Sequence, residues 1–225
     1  MFARSVLRAG RILTNPARSV ARTVSASPAL LTPLPAASRW SRAYASAATP
    51  VSPTDPKLGH AQSLLEYGTR ALEEGDLPRA KAAYEESISV MPTSGAWFNL
   101  GVVEYQLAGP LGAIEAWKQS IALEPSADAY TNLGSAYMMC KPPQTAEAIK
   151  ALTAAMEIAP EDPEIQFNLA AVLESTDQLD TALTLYRKAL SGGVERALAN
   201  IRNIGGKILA KRLSDEQKPE DKEDK

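Results

Sequence analysis

Cysteine and histidine are nearly absent from this chain of 225 residues, which contains Cys140 and His60 and no other residue of either type. A lone cysteine excludes a disulfide within the chain, so nothing in the sequence requires an oxidising compartment. Zinc sites and nucleophile–base pairs need several such side chains close together. The sequence therefore predicts no metal site, no cofactor and no enzymatic activity.

The two isolated residues have interpretations of their own. His60 lies where the first helix is expected to start, and we interpret it as a solvated residue. Cys140 precedes Lys141 in a predicted turn. Either the neighbouring cation favours the thiolate form of Cys140, or this cysteine is an incidental turn residue.

Acidic residues are missing from the first 54 positions. Seven of the 24 basic residues precede Asp55 but none of the 26 acidic residues does, so the remainder carries 17 basic residues and a net charge of −9. An acidic body repels phosphate, which disfavours a surface for nucleic acid. Long apolar runs are missing as well, and no stretch approaches the length of a transmembrane span.

Residues 1–44 are rich in arginine, serine and alanine, and they begin with the pattern of a basic amphipathic helix. This composition is typical of a mitochondrial transit peptide. The run Arg-Ala-Tyr-Ala-Ser at 42–46 resembles a matrix-peptidase cleavage pattern and places the start of the mature chain at about Ala45. The sequence thus predicts a mitochondrial protein of the matrix; a merely disordered basic tail is the alternative. Residues 45–58, rich in Pro, Ser, Thr and Ala, are interpreted as a disordered linker.

The rest of the chain contains internal sequence repeats. The triplet Asn-Leu-Gly at 99–101 recurs at 132–134 and, in altered form, at 168–170 and 203–205, with spacings of 33, 36 and 35 residues. Each of the first three triplets is followed by an alanine and, four residues later, by a large side chain, and an earlier unit has the same pair. These pairs are Ala80 and Tyr84, Ala113 and Trp117, Ala148 and Leu152, and Ala182 and Tyr186.

This pattern resembles the tetratricopeptide repeat. The second unit matches the signature of that family almost completely, through Trp97, Leu100, Gly101, Ala113, Trp117 and Pro125. The resemblance covers roughly residues 59–213. It implies an all-α fold, a right-handed superhelix (α-solenoid) of four helix-turn-helix repeats followed by a C-terminal capping helix.

The predicted repeats span about 61–93, 94–126, 127–161 and 162–193, and the predicted capping helix spans 194–213. We expect the small residue of each first helix to face the alanine of the second helix, so that the two backbones approach closely. Asp76 and Asp162 are predicted N-caps, and Gly192 and Gly193 are predicted to end the last second helix. Residues 214–225 are almost wholly polar and are predicted to be a charged, disordered tail.

The resemblance implies that the first helices line a concave groove, which binds a protein or peptide segment. The predicted peptide-binding residues are Phe98, Asn99, Val102, Tyr105, Asn132, Met138, Phe167, Asn168, Arg202 and Asn203. The same helical positions add Gln106, Asp128, Thr131, Ser135, Met139, Glu164, Ala171, Glu174 and Ser175.

The asparagines of this set are the most distinctive feature, because a carboxamide can pair with both the C=O and the N–H of a peptide. They either form a ladder for an extended segment or are a family consensus that bonds locally. A carboxylate clamp of the kind that holds Hsp70 and Hsp90 tails agrees at Asn99 but not at Leu65, Thr69, Asp128 and Asn132. The sequence therefore predicts a protein that is not such a co-chaperone.

The predicted function is a non-enzymatic protein–protein interaction module, a mitochondrial scaffold or assembly factor. One alternative is an organellar RNA-binding helical-repeat protein, which the acidic body disfavours. The other is a peripheral inner-membrane adaptor, because the last helix has no acidic residue from Ala197 to Arg212 and could make a weak membrane-surface contact.

Overall fold

The computed structural model describes residues 55–216, and within this range the chain is helical apart from short connections, with no strand. The predicted transit peptide and most of the linker and tail lie outside the described residues. The helices of the described part are α1 Pro56–Glu73, α2 Leu77–Val90, α3 Ser94–Ala108, α4 Pro110–Leu123, α5 Ala127–Met139, α6 Thr145–Ile158, α7 Pro163–Ser175, α8 Leu179–Ser191 and α9 Ala197–Glu216.

Side-chain caps explain where several of these helices begin. The Asp76 carboxylate accepts the Arg79 N–H at 3.1 Å, and the Asp162 carboxylate accepts the Glu164 N–H at 2.8 Å, as predicted. Asp55 also acts as an N-cap, accepting the Lys57 N–H at 2.9 Å ahead of a proline-started turn. Because of this unrecognised cap, α1 begins at Pro56, inside the segment that we interpreted as linker.

Each odd-numbered helix packs against the helix that follows it, which gives four helical hairpins and a final unpaired helix, α9. The second helix of each hairpin packs in turn against the first helix of the next, and α1 touches α3 as α5 touches α7. The first helices therefore form one layer and the second helices another. This arrangement confirms the predicted all-α solenoid of four repeats and a terminal helix.

The contact inside each hairpin differs from our expectation. A Cβ added at Gly101 would lie 2.5 Å from the Trp117 ring, and one added at Gly68 would lie 2.7 Å from the Tyr84 ring. The small residue therefore faces the large side chain of the second helix, whereas we expected it to face the alanine. The large residues of all four hairpins are fully buried, which makes this contact the centre of each repeat.

The terminal helix is displaced from its predicted span. It begins at Ala197 and continues to Glu216, so residues 214–216 belong to the helix and not to the tail. The delay at its start follows from a turn: Gly193 has φ +95° and the Val194 N–H bonds to Ala189 C=O at 2.9 Å. Val194 is buried by this turn, and that contact ends α8 before the next helix can begin.

Candidate functional site

The predicted peptide-binding residues lie at very different depths on the first helices. Phe98, Asn99, Val102, Asn132, Phe167 and Asn168 are buried. Tyr105 and Met138 are half-buried, whereas Arg202 and Asn203 on α9 are exposed. Helical periodicity thus placed all ten on the first helices or on α9, but it did not separate surface residues from core residues.

Three apolar members of the predicted set belong to the core. Phe98 and Val102 are buried between helices, and Phe167 packs edge-on against Tyr186 with ring centroids 5.2 Å apart. The Arg196 guanidinium covers the same Phe167 ring at 4.2 Å. As the structure stands, these side chains hold neighbouring helices together and present no surface to a bound segment.

The asparagine series is divided in the same way. The Asn99 side chain is 1% exposed and hydrogen-bonds the Tyr84 hydroxyl, which links the first repeat to the second. Its carboxamide oxygen is buried and has no hydrogen-bond partner among the described residues. Asn132 and Asn168 are also buried, and Asn203 alone of the four is exposed. Three members of the predicted ladder therefore lie beneath the surface.

An exposed row lies on the same helical face as these asparagines. Gln106, Met139 and Ser175 each follow the asparagine of their repeat by seven residues, which is two helical turns, and all three are exposed. At the corresponding positions of α1 stand Glu66 and Glu73, both also exposed. The accessible part of this face is thus amide, thioether and hydroxyl in the later repeats and acidic in the first.

The half-buried Glu174 has a different role from the one that we predicted. One of its oxygens accepts a hydrogen bond from Lys207 Nζ at 2.6 Å, and the other accepts from the Tyr186 hydroxyl at 3.0 Å. Asn200 Nδ2 donates to the Tyr186 hydroxyl at 2.9 Å. Burial and the Glu174 charge both raise the pKa of Tyr186. This network attaches α9 to the fourth repeat.

Two further ion pairs attach the terminal helix. Arg196 pairs with Glu164, and Lys211 Nζ lies 2.7 Å from an Asp177 oxygen. Sequence reasoning missed these partners, although a signal was present. In each pair an acidic residue and a cation are 32 to 34 residues apart, which is about one repeat.

The structure also locates the cysteine and the histidine of the chain. Cys140 is buried rather than in an open turn, its Sγ donates to Ala136 C=O at 3.3 Å, and burial raises the pKa of its thiol. The thiolate interpretation is therefore wrong. His60 is exposed on α1. Residues 55–216 contain no cluster of three or more possible metal ligands, and none of their helices is long and apolar enough to cross a membrane.

Two segments of the chain match a known protein family. Residues 65–109 and residues 144–200 each match a family described as tetratricopeptide repeat. The chain carries tetratricopeptide repeats. No curated protein matches it over its sequence.

Solved structures of tetratricopeptide-repeat proteins share the fold. A crystal structure of MamA protein is 26% identical with a TM-score of 0.58, covering 74% of this chain and 97% of MamA. Another crystal structure of MamA is 28% identical with a TM-score of 0.55, covering 67% of this chain and 94% of the other. YrrB, described as a TPR protein with an unusual peptide-binding site, is 19% identical with a TM-score of 0.57, covering 63% and 74%.

Proposed function

We propose that this protein is a mitochondrial scaffold or assembly factor that binds a polypeptide segment along the first-helix layer of its tetratricopeptide repeats. The repeat fold supports a protein-interaction module. The peptide-binding site named for YrrB, a protein of similar fold, supports the idea that such a layer can hold a peptide. The arginine-rich composition of residues 1–44 supports the mitochondrial destination.

The observation that carries the binding proposal is the exposed row Gln106, Met139 and Ser175. These side chains repeat at one position of three successive first helices, so a segment running across the layer would meet them in turn. Met139 offers an adaptable apolar contact, and it is 48% exposed although it is a large hydrophobic residue. The buried asparagines lie on the same face beneath the row, and the unpartnered Asn99 oxygen is an acceptor that a small opening would expose.

The charge of the first repeat gives the segment a direction. Glu66 and Glu73 stand at the positions that Asn99 and Gln106 occupy in the second repeat, and both carboxylates are exposed. An extended segment with a cation beside the α1 carboxylates and an apolar side chain beside Met139 on α5 would match both the acidic first repeat and the row. We therefore expect the bound segment to be apolar with a basic end.

Site-specific photocrosslinking tests the proposal. A photoreactive amino acid replaces Gln106 or Met139 in the full chain, and irradiated mitochondria are analysed for crosslinked peptides. We expect both positions to give the same partner sequence. Lys118 and Lys150, which are exposed on the second helices α4 and α6, provide the matched control positions. Equal yields of the same crosslink from the control positions would contradict binding along the first-helix layer.

The mitochondrial part is tested separately by import. The full chain should become protected from protease in energised mitochondria and shorten to a product beginning near Ala45. Replacing Arg4, Arg8 and Arg11 with glutamate should abolish that protection, because import depends on these cations. A wild-type chain that stays sensitive to protease would overturn the destination while leaving the binding proposal intact.

A further inference from the structure

We infer that the exposed face of α9 is half of a fifth repeat, which is completed by an acidic amphipathic helix of a different polypeptide. This site lies on the end of the solenoid, away from the row Gln106, Met139 and Ser175. The inference goes beyond the proposed function and does not depend on it.

One contact between the two helices recurs inside the hairpins. The signature glycine of a first helix always meets the large residue of the second helix: a Cβ at Gly68, Gly101 or Gly134 would lie 2.5 to 2.8 Å from Tyr84, Trp117 or Leu152. In the second repeat the same large residue also donates from Trp117 Nε1 to Phe98 C=O at 3.2 Å. A first helix thus has a defined surface for its own second helix.

The terminal helix α9 has the same surface, and no residue in the range 55–216 covers it. Asn203-Ile204-Gly205 repeats the first-helix signature, yet a Cβ at Gly205 would meet nothing within 4 Å. Leu198 and Leu209 stand seven residues before and four after Gly205, where the second repeat has Ser94 and Tyr105. Those two residues touch α4, through the Ser120 hydroxyl on Ser94 C=O at 2.9 Å and through the Trp117 ring. Leu198 and Leu209 are instead 43% and 59% exposed.

The packing of α9 on the fourth repeat keeps this face exposed to solvent. Ala197, Asn200 and Ile204 are buried against the fourth repeat, and the pairs Lys207–Glu174 and Lys211–Asp177 hold that orientation. Residues of a helix follow one another at about 100°, so Gly205 and Leu209 lie roughly a third of a turn away from the packed face. The vacant face is therefore fixed towards solvent while α9 stays docked.

Neither the remaining residues of this chain nor a second copy of it fits this face. Residues 217–225 contain no apolar side chain larger than Pro219 to fill the contact with Gly205, and residues 1–54 contain no acid to face the cations of α9. A second copy keeps its equivalent residues Tyr84, Trp117, Leu152 and Tyr186 fully buried, and its own α9 would bring the same cations against this face. None of these residues supplies the helix, so we assign it to another polypeptide.

Charge gives the chemistry of that helix. Arg202 and Arg212 are exposed beside the apolar face, at the positions of Phe98 and Ala108 in the second repeat. With no acidic residue from Ala197 to Arg212, this face favours carboxylates on its occupant. The expected helix carries one large apolar residue against Gly205, small residues beside it and acidic residues towards Arg202 and Arg212.

A peptide copied from this chain serves as the probe. It is a stapled, fluorescein-labelled helix with the sequence of α4, Pro110–Leu123, and a Gly112→Glu substitution, because Gly112 lies against Ala108 and so would face Arg212. The staple is needed since a free helix of this length is marginal in water. Two control peptides carry Trp117→Ala or Gly112→Lys. Fluorescence anisotropy measures binding to the full chain.

We expect saturable binding that Gly205→Leu in the full chain weakens at least about tenfold, because the added side chain fills the contact. Ala210→Leu introduces the same side chain on an exposed part of α9 away from this face and should change the Kd by less than about twofold. The Trp117→Ala peptide should also bind at least about tenfold more weakly, and the Gly112→Lys peptide about threefold more weakly.

Four results would overturn the inference. They are no binding to the wild-type chain; equal losses from Gly205→Leu and Ala210→Leu; a dimer in sedimentation that Gly205→Leu abolishes, which would make a second copy the occupant; and displacement of the peptide by vesicles containing phosphatidylserine, which would make the face a membrane contact. A Met139→Asp variant should bind the probe as the wild type does, so failure of the groove and failure of this face are distinguishable.

Discussion

Gly101 and Gly205 occupy the same position of a first helix, and their surroundings are opposite. A Cβ at Gly101 would collide with the buried Trp117 ring, whereas a Cβ at Gly205 would enter open space. Packing accounts for the first glycine. The second weakens an exposed helix without a contact to explain it among the described residues. A repeat signature thus marks a surface for a second helix even where no described residue occupies that surface.

Removing the large residue that packs against Gly101 should change the stability of the protein most. Trp117→Ala should lower the free energy of unfolding by about 3–5 kcal/mol, because it leaves a cavity at the centre of the second hairpin. Leu209→Ala, at an exposed position of the vacant face, should change it by less than about 0.5 kcal/mol. Urea unfolding followed by circular dichroism measures both. A comparable loss from both variants would mean that the face of α9 is covered in the free protein.

Adding one methyl group sharpens the same contrast, because the two glycines should respond with opposite signs. Gly101→Ala forces the Trp117 ring to shift and should destabilise the protein by about 1–3 kcal/mol. Gly205→Ala should stabilise it by about 0.5–1 kcal/mol, since alanine favours an exposed helix and meets no neighbour there. Thermal melts of the two single variants decide this. Stabilisation by Gly101→Ala would contradict the tight contact in the hairpin.

The attachment of α9 gives a third test, in which a half-buried acid is compared with an exposed one. Glu174→Ala leaves the Tyr186 hydroxyl without its acceptor and leaves Asn200 with the Tyr186 oxygen as its remaining acceptor, and it should cost about 1–3 kcal/mol. Asp177→Asn removes the solvent-exposed ion pair with Lys211 and keeps a residue type that tolerates the φ of +60° at this position, so it should cost less than about 1 kcal/mol. The measurement is again urea unfolding. A larger loss from Asp177→Asn than from Glu174→Ala would show that the half-buried Glu174 network is not what docks α9.

Much of this fold was predictable from sequence because each repeat carries several residue types at fixed spacings. The large buried residues Tyr84 and Trp117 and the caps Asp76 and Asp162 are local or periodic features, and the structure confirms them. The start of α9 was predicted three residues too early, because the buried Val194 turn depends on a tertiary contact.

The burial of the candidate site residues could not be predicted from the sequence. Periodicity assigns Phe167 and Ser175 to one set of positions, but only the packing of successive repeats decides that the first is buried and the second exposed. The role of Glu174 was hidden for the same reason, since it depends on Lys207 one repeat later. A search for opposite charges spaced by one repeat would have found it.

The smallest predicted effect concerns a single hydroxyl at the junction of the first and second repeats. Burial raises the pKa of Tyr84 to about 12 from its ordinary value of 10. Below pH 10 the hydroxyl is protonated in both folded and unfolded chains, so its contribution to stability is fully present there. As the pH rises towards 12 the unfolded chain loses this proton first, and the contribution is lost.

At pH 11 the loss from Tyr84 should be about 1 kcal/mol, measured as the extra pH dependence of the wild type over Tyr84→Phe in urea unfolding between pH 9 and 11.5. Comparing the two proteins cancels the titration of lysines, which both share. Tyr67→Phe, at a ring that is 44% exposed on the same hairpin, leaves Tyr84 in place and should keep the wild-type slope. Identical slopes for Tyr84→Phe and the wild type would mean that folding does not raise the pKa of Tyr84.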